Sequence, residues 1–423
     1  MAVAIGVDIT SIQRIAGVLQ RRPRFAEKIF TATERRRCGA KIERFASRWA
    51  AKEAVKKLCG SRGVPIPTYR SIEVVNRRGG APMIRIGGMD TDIALTLTHD
   101  AGLAIAVAAT ADDGLWGAPA LPPPPGLRLP ERPADGHKGT FGTVTLIAGS
   151  PGTAGAAVLA ALGAARGGAG KVRLCVPDAI YATVAPMCLE VMAQALPVDE
   201  NGTTGLGRRA VAALLDKQLG DASAVVVGPG LGRDPGTEMA LADLLPAITT
   251  APLVVDADGL NIAAAQGFDW HRCNRPVVIT PHPAEMARLV GTDIGAVQGD
   301  RDGVASRYAT QCGVVVVLKG AGTVVAAPDG RTHVDGHRTV ALATGGTGDV
   351  LAGLCGAMLA GGLDVFDAAV AAVTIHAEAG CIVESQRGRA GGLAGDVVDA
   401  LPVAQERLRR TLEGLRPGRG SVG

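Results

Sequence analysis

The stretch Ala343-Thr344-Gly345-Gly346-Thr347-Gly348-Asp349-Val350-Leu351-Ala352-Gly353 sets three glycines and two threonines ahead of an apolar run. A glycine-rich loop that enters a helix turns several backbone N–H groups in one direction. The helix dipole adds positive potential there, so the place suits a phosphate. Asp349 follows at once. A carboxylate beside a bound phosphate is electrostatically unfavourable unless it has a task. The task that fits is to take the proton from a hydroxyl attacking phosphorus. The plainer alternative is a tight turn with Asp349 as an ordinary first-turn helix charge. In that position the carboxyl is expected to keep a low pKa and to be ionised at neutral pH.

A second set of candidates lies near the N-terminus. Asp8 ends an apolar stretch, and Glu53 sits in a helical segment with Lys57 one turn on and Arg48 near the same side. Two carboxylates from separate elements suit Mg²⁺, which takes few carboxylates plus water and substrate phosphate. Lys57 and Arg48 could then hold phosphates. Spacing alone favours a surface pair between Glu53 and Lys57, with Asp8 capping a turn and His99 structural. Between Arg14 and Arg62, fifteen Lys or Arg residues face only Glu27, Glu34, Glu43 and Glu53. That is a surface for an acidic protein or a polyphosphate. Aromatic residues make up 3% of the chain, too few for the stacking that single-stranded nucleic acid needs.

These residues need elements to position them. With 423 residues, 58 glycines and 47% hydrophobic content, the chain is long enough for two domains of α/β or α+β type. Net charge is only +4. Cys38, Cys59, Cys175, Cys188, Cys273, Cys312, Cys355 and Cys381 show no C-x-x-C spacing; most sit in apolar runs and suit buried thiols in a reducing cytoplasm. The N-terminal apolar run has no basic flank and is expected to be a strand instead of a leader. The run Pro122-Pro123-Pro124-Pro125-Gly126 predicts a stiff, extended spacer with few tertiary contacts. The expected division is a domain at 1–111, a linker at 112–136, a domain at 137–412 and a mobile tail at 413–423.

In the first domain, residues 3–9 suit a strand, 44–58 a helix, and 93–109 a hairpin turning at Asp100-Ala101-Gly102. In the second, strands are expected at 143–148, 171–176, 224–227, 253–255, 277–280 and 314–318. Helical stretches separate most of them, so a mainly parallel sheet covered on both faces follows. Several glycine-rich or acidic motifs fall just after these strands, where ligands of such sheets sit.

The order Gly6-Val7-Asp8-Ile9, Arg14, Ile29-Phe30-Thr31 with Glu34, Arg48-Trp49-Ala50-Ala51-Lys52-Glu53-Ala54, and Leu97-Thr98-His99-Asp100 resembles holo-acyl-carrier-protein synthase. This is the 4′-phosphopantetheinyl transferase family, and the likeness spans the first domain. It implies an α+β fold, a trimer with sites between subunits, and transfer of phosphopantetheine from coenzyme A to a carrier-protein serine. Asp8 and Glu53 would carry Mg²⁺, with Glu53 and His99 catalytic. Arg14, Arg48, Lys57 and His99 would lie around coenzyme A or the carrier, and the basic helix would meet an acidic acyl carrier protein.

The second domain carries His137-Lys138-Gly139, Ala148-Gly149-Ser150, Gly228-Pro229-Gly230-Leu231-Gly232, Asp256-Ala257-Asp258-Gly259-Leu260-Asn261 and Thr280-Pro281-His282-Pro283-Ala284-Glu285-Met286. Leu318-Lys319-Gly320-Ala321-Gly322-Thr323 and the 343–353 loop complete the set. Together they resemble ADP-dependent NAD(P)H-hydrate dehydratase, of the ribokinase-like superfamily. That implies a nucleotide, ADP or ATP, phosphorylating the hydroxyl of hydrated NADH or NADPH, followed by phosphate elimination. Lys319, Gly320, Ala321, Gly322, Thr323 and Gly348 would bind the nucleotide. Ala156, Gly230, His282 and Asp349 would bind the hydrate, with Asp349 as catalytic base. An epimerase domain often accompanies this family; none is recognised here, so a separate epimerase is expected.

The expected protein is therefore a bifunctional cytoplasmic enzyme and homo-oligomer, binding neither nucleic acid nor membrane. The competing expectation is a ribokinase-like kinase of a small alcohol fused to a non-catalytic oligomerisation module.

Overall fold

The computed structural model describes residues 3–22, 24–61, 66–76, 80–111, 121–197, 205–249 and 251–415. They fall into two compact units divided between Pro119 and Ala120.

In the first unit β1 (Val3–Ser11) is followed by α1 (Ile12–Arg21), α2 (Phe25–Ile29), α3 (Ala32–Cys38) and α4 (Ile42–Ser61). Then come β2 (Ile72–Asn76), β3 (Pro82–Ile86), β4 (Met89–Asp100) and β5 (Leu103–Ala111). The strands form an antiparallel sheet in the order β1-β5-β4-β3-β2. The expected hairpin is present, with Ala101 and Gly102 at φ 45° and 77°. A two-residue turn matching the sheet's right-handed twist needs that conformation. Helix α4 buries Ala50, Ala51, Ala54, Val55 and Leu58. It lies so close to β1 that a Cβ on Gly6 would collide with the Ala54 carbonyl.

The second unit runs β6 (Thr143–Ile147), α5 (Ala154–Arg166), β7 (Lys171–Pro177), α6 (Asp178–Val184), β8 (Met192–Leu196), α7 (Arg208–Ala213), β9 (Ala224–Val227) and α8 (Pro235–Ala247). It continues through β10 (Leu253–Val255), α9 (Asp258–Ala265), β11 (Val277–Ile279), α10 (Pro283–Val290), α11 (Ile294–Gly299), α12 (Arg301–Cys312) and β12 (Val315–Leu318). It closes with β13 (Val324–Ala326), β14 (Thr332–Val334), α13 (Thr347–Ala360), α14 (Val365–Arg387) and α15 (Ala394–Leu415). The sheet order is β14-β13-β12-β11-β10-β9-β6-β7-β8, with only β13 and β14 antiparallel to their neighbours. Each expected strand is present within a residue or two. The edge strands β8 and β14, and β13 beside β14, have no counterpart among the expected strands. Strands β13 and β14 have three residues each, and β8 fully buries only Leu196.

Strand side chains alternate between two cores. Val144, Val226, Val254 and Val278 face the core that holds α5, α13, α14 and α15. Val225, Val227, Val255 and Ile279 face the other, with α8, α9, α10 and α12. Helix α14 is long and apolar enough to cross a membrane, yet 78% of its most apolar window is buried here.

The Pro-rich segment departs from expectation. Residues 112–120 lie outside the described residues, but from Leu121 onward the segment packs on the second unit. Leu127 is a buried core residue, and Arg409 Nη2 donates to the Pro130 carbonyl at 3.1 Å. Arg132 donates to the Gly168 carbonyl and covers the Phe141 ring at 4.3 Å. A proline-rich stretch has carbonyls without regular partners; here that of Pro130 is met by Arg409 and that of Pro124 by the Leu127 N–H. The expected tail also shortens: α15 continues to Leu415, and 416–423 lie outside the described residues.

Candidate active sites

In the second unit the chain leaves β6 toward β7 on one side and β9 on the other. A crevice forms at such a switch point, at the carboxyl ends of the strands. Gly230 after β9 holds φ 62°. A Cβ there would stand 2.9 Å from the Thr153 carbonyl and 3.0 Å from Ala156 Cβ. Ser150 Oγ and Thr153 Oγ1 both donate to the Gly230 carbonyl, at 2.9 and 2.6 Å. The fold thus joins Ala156 and Gly230, which lie far apart in sequence.

Next to this crevice sits a charge hub that spacing did not reveal. Lys319, just after β12, places Nζ 2.7 Å from Asp256 Oδ1 and 3.8 Å from Glu285 Oε2. Asp256 follows β10, and Glu285 lies in the first turn of α10. Burial disfavours the charge on Lys319, but Asp256, Glu285 and then Asp349 outweigh it and raise its pKa. Burial also pushes Glu285 up to about 7, against the pull of Lys319. Asp256 and Glu285 carried no role in the sequence reading. Their signal is position: Asp256 begins the loop after β10, and Glu285 stands in the first turn of the helix that follows β11.

Helix α13 delivers Asp349. Gly346, at φ 92°, starts it; a Cβ there would press on Leu159. Thr347 Oγ1 donates to the carbonyls of Leu342 and Thr344 at 2.8 and 2.9 Å, closing the loop. Helix α13 packs tightly on α5, where a Cβ on Gly163 would stand 3.0 Å from Val350 Cα. Buried His376 on α14 bonds the Thr347 backbone, and its pKa falls to about 4 as burial disfavours the cation.

The expected low pKa of Asp349 is corrected. Burial first, then repulsion from Asp256, push it up to about 7; Lys319 opposes this, while Asp258 and Glu285 add to it. The helix-start potential does not offset desolvation amid three other carboxylates.

His282 caps α10. Its Nδ1 accepts from the Ala284 and Glu285 N–H groups at 3.1 and 3.3 Å. Burial, Lys319 and Arg288 depress its pKa. The neutral ring therefore carries its proton on Nε2, a donor on a half-exposed side chain. In the 319–323 loop, Gly320 and Gly322 take φ 153° and 79°. Arg301 Nη2 braces the loop through the Leu318 and Lys319 carbonyls at 2.9 and 3.3 Å.

In the first unit Asp8 accepts from Lys57 Nζ at 2.8 Å. Glu53 accepts from the Tyr69 hydroxyl. Burial, Glu53 and then Asp8 push the Tyr69 pKa to about 12, so both carboxylates lie about one phenol. Tyr69 stacks on Trp49 at 5.1 Å; no sequence signal marked it. Two hard carboxylates with no third His, Cys, Asp or Glu among the described residues fit Mg²⁺ completed by phosphate and water. Arg14 is exposed on α1, whereas Arg48 is buried and turned toward the Arg44 carbonyl. His99 pairs with Ala104 across β4 and β5, while Asp8 pairs with Ala106 across β1 and β5. His99 is thus two strands from Asp8 and two residues along, roughly 12 Å between backbones within one chain.

Two family models match the chain. The model described as NAD(P)H-hydrate dehydratase covers residues 144–403. The chain belongs to the NAD(P)H-hydrate dehydratase family. The other, the 4′-phosphopantetheinyl transferase superfamily, covers 4–108. The dehydratase unit is similar to the ADP-dependent (S)-NAD(P)H-hydrate dehydratase of Neisseria meningitidis serogroup B. That match is 37% identical over 298 residues, 68% of this chain and 94% of that protein. It is also 40% identical to the bifunctional NAD(P)H-hydrate repair enzyme of Moorella thermoacetica, over 68% of this chain and 53% of that protein. The chain spans about half the length of such bifunctional relatives. Among solved structures, the ADP/ATP-dependent NAD(P)H-hydrate dehydratase from Bacillus subtilis, co-crystallised with ATP and Mg²⁺, aligns with a TM-score of 0.57. It shares 32% identity over 66% of this chain and 94% of that one. Every site motif of the dehydratase unit except His137-Lys138-Gly139 falls inside the matched range.

Proposed function

We propose that the chain is bifunctional. Its dehydratase unit uses ADP to return hydrated NADH or NADPH to the dihydronicotinamide. One observation carries this reading: Asp349 lies in the first turn of a glycine-started helix that is held against Lys319. Lys319, Gly320, Ala321, Gly322, Thr323 and Gly348 bind the nucleotide, and Ala156, Gly230 and His282 bind the hydrate. The hydrate hydroxyl attacks the terminal phosphorus of ADP while Asp349 takes its proton. The oxygen–phosphorus bond forms as the bond to AMP breaks. The ring nitrogen lone pair then expels phosphate, and loss of a proton from the neighbouring carbon restores the double bond. Lys319 and the N–H groups of the loop offset the phosphoryl charge. A separate epimerase supplies the reactive epimer.

The first unit is proposed to transfer phosphopantetheine from coenzyme A to a serine of an acidic acyl carrier protein. Asp8 and Glu53 hold Mg²⁺, which offsets the pyrophosphate charge. Arg14, Arg48, Lys57 and His99 surround coenzyme A or the carrier, with Glu53 and His99 serving catalysis. Ile5, Val7 and Ile9 project from one face of β1, each about half exposed. That apolar face suits a homo-oligomer, in which His99 of one copy complements Asp8 and Glu53 of another. All eight cysteines are free thiols, in keeping with a cytoplasmic enzyme.

The decisive experiment incubates the pure chain with hydrated NADH and ADP and follows the return of dihydronicotinamide absorbance. A stable phosphate ester without recovered NADH would make the unit a kinase. Mass spectrometry of acidic carriers incubated with coenzyme A and Mg²⁺ tests the first unit. Asp8→Asn is expected to abolish carrier modification and leave dehydration intact; unmodified carriers with the wild-type chain sink the transferase reading.

A further inference from the structure

Between β14 and the phosphate loop lies a buried ionic cluster that the proposed chemistry leaves unused. Asp335 and His337 are 5% and 8% exposed. His337 Nδ1 stands 2.8 Å from Asp335 Oδ1, and its Nε2 stands 3.5 Å from Glu378 Oε2 on α14. The other oxygen of Glu378 accepts from Arg407 on α15 at 2.9 Å. The loop segment therefore faces α14 through the His337–Glu378 ion pair, and Glu378 is in turn tied to α15.

The same segment holds the 319–323 loop. The Asp335 N–H donates to the Thr323 carbonyl at 2.9 Å. Arg338 Nη1 donates to the carbonyls of Asp335 and His337 at 3.2 and 2.8 Å. Its guanidinium lies over Gly322, where a Cβ would stand 3.4 Å from Nη2. Just beyond, Glu384 Oε2 accepts from Thr339 Oγ1 and the Val340 N–H at 2.6 and 3.0 Å. Thus one strap runs from the nucleotide loop to the phosphate loop, and His337 is its buried fastening.

We propose that His337 is a positioning residue for the nucleotide: through Asp335 and Arg338 it holds the 319–323 loop in the form that receives ADP. The inference rests on the proposed role of that loop. Its physical basis is charge balance. His337 faces the carboxylates of Asp335 and Glu378, and Glu378 also meets Arg407, so a proton on His337 offsets buried negative charge that its loss leaves less compensated. Losing one partner from such a cluster leaves a buried charge uncompensated, which is strongly unfavourable.

The other titratable neighbours do not supply that charge. His333 on β14 is lowered by burial, and His376 on α14 falls to about 4. Cys381 is pushed up to about 11 by burial, Glu378, Glu384 and Asp335. Glu384, bonded to Thr339, is lowered and stays ionised. For His337 burial pulls the pKa down, but Asp335 and Glu378 outweigh it and raise it to about 9. A histidine raised in the native state stabilises the strap below that pH and ceases to do so above it. Lys319 is shifted up from its ordinary value and keeps its charge in this range.

The test measures kcat and KM for ADP from about pH 7.5 to about pH 10, in the wild-type chain and in His337→Gln, with ADP affinity by calorimetry in the absence of hydrate. In the wild-type chain, KM and Kd for ADP are expected to rise roughly tenfold as pH passes about 9, with kcat changing much less. His337→Gln should raise both at neutral pH and flatten their dependence on pH. If that variant does not fold, the wild-type profile decides alone. Dehydration with a KM for ADP unmoved by alkaline pH overturns the inference and leaves the proposed function standing. A chain that does not dehydrate but loses ADP affinity above about pH 9 sinks the activity and supports the fastening.

Discussion

Lys319 Nζ stands 2.7 Å from Asp256 Oδ1 and 3.3 Å from where a Cβ on Gly348 would lie. The cation is thus held against the first turn of the helix that carries Asp349. A methyl group at Gly348 would push on an ammonium anchored by its ion pair. Gly348→Ala is therefore expected to raise KM for ADP by roughly tenfold, since a close charge interaction with phosphate is displaced. Steady-state kinetics with varied ADP, beside a thermal melt to confirm folding, checks this. An unchanged KM would mean that Lys319 does not meet the nucleotide's phosphates from that position.

Asp349→Asn should lower turnover by roughly 10²–10⁴, the usual effect of removing a general base. In the wild-type chain turnover should fall as pH drops through about 7, where the carboxyl takes up its proton. The same shift carries a stability consequence. A carboxyl whose pKa is raised in the native state favours the fold at low pH and penalises it as pH rises through about 7. Asp349→Asn should therefore raise Tm more at about pH 8 than at about pH 5. Near-normal turnover would send the proton elsewhere, and a Tm gain independent of pH would contradict the burial of this charge.

In the first unit Lys52 and Glu34 are fully buried and paired at 2.9 Å. Lys52 also donates to the Tyr69 carbonyl at 2.8 Å and to that of Ile72. Glu34 in turn accepts from the Val74 N–H at 2.9 Å, tying α3 to β2. Lys52→Met leaves a buried carboxylate without its counter-charge and should cost the unit about 3–5 kcal/mol. Lys52→Met combined with Glu34→Gln should recover much of that loss. Calorimetry of the three chains measures it; a single variant as stable as wild type would show that water reaches Glu34.

The Pro-rich segment yields a test of where the second unit begins. A chain starting near Pro133 lacks buried Leu127 and the Arg132 and Pro130 contacts. It should be less stable than one starting at Leu121 by about 1.5–3 kcal/mol, the worth of one buried leucine side chain. Urea midpoints compare the two. Equal midpoints would make the segment a spacer after all.

The sequence alone was enough for features that are local. Val225, Val226 and Val227 declare a buried strand by composition, and Gly102 a hairpin turn by the positive φ that glycine permits, although Ala101 before it is held at positive φ as well. Gly346 before Thr347 declares a helix start. The ordered motifs were enough for both family likenesses, because their spacing survives in one dimension. Tertiary structure decided what depends on distance through space. Asp256 and Lys319 are 63 residues apart, yet their contact makes the charge hub. Asp349 looked like an ionised helix-start carboxylate until burial and three other acids set its pKa at about 7. Leu127 looked like part of a spacer until a core received it. Position in a chain fixes backbone preference, but desolvation and charge pairing depend on neighbours that only the folded chain brings together.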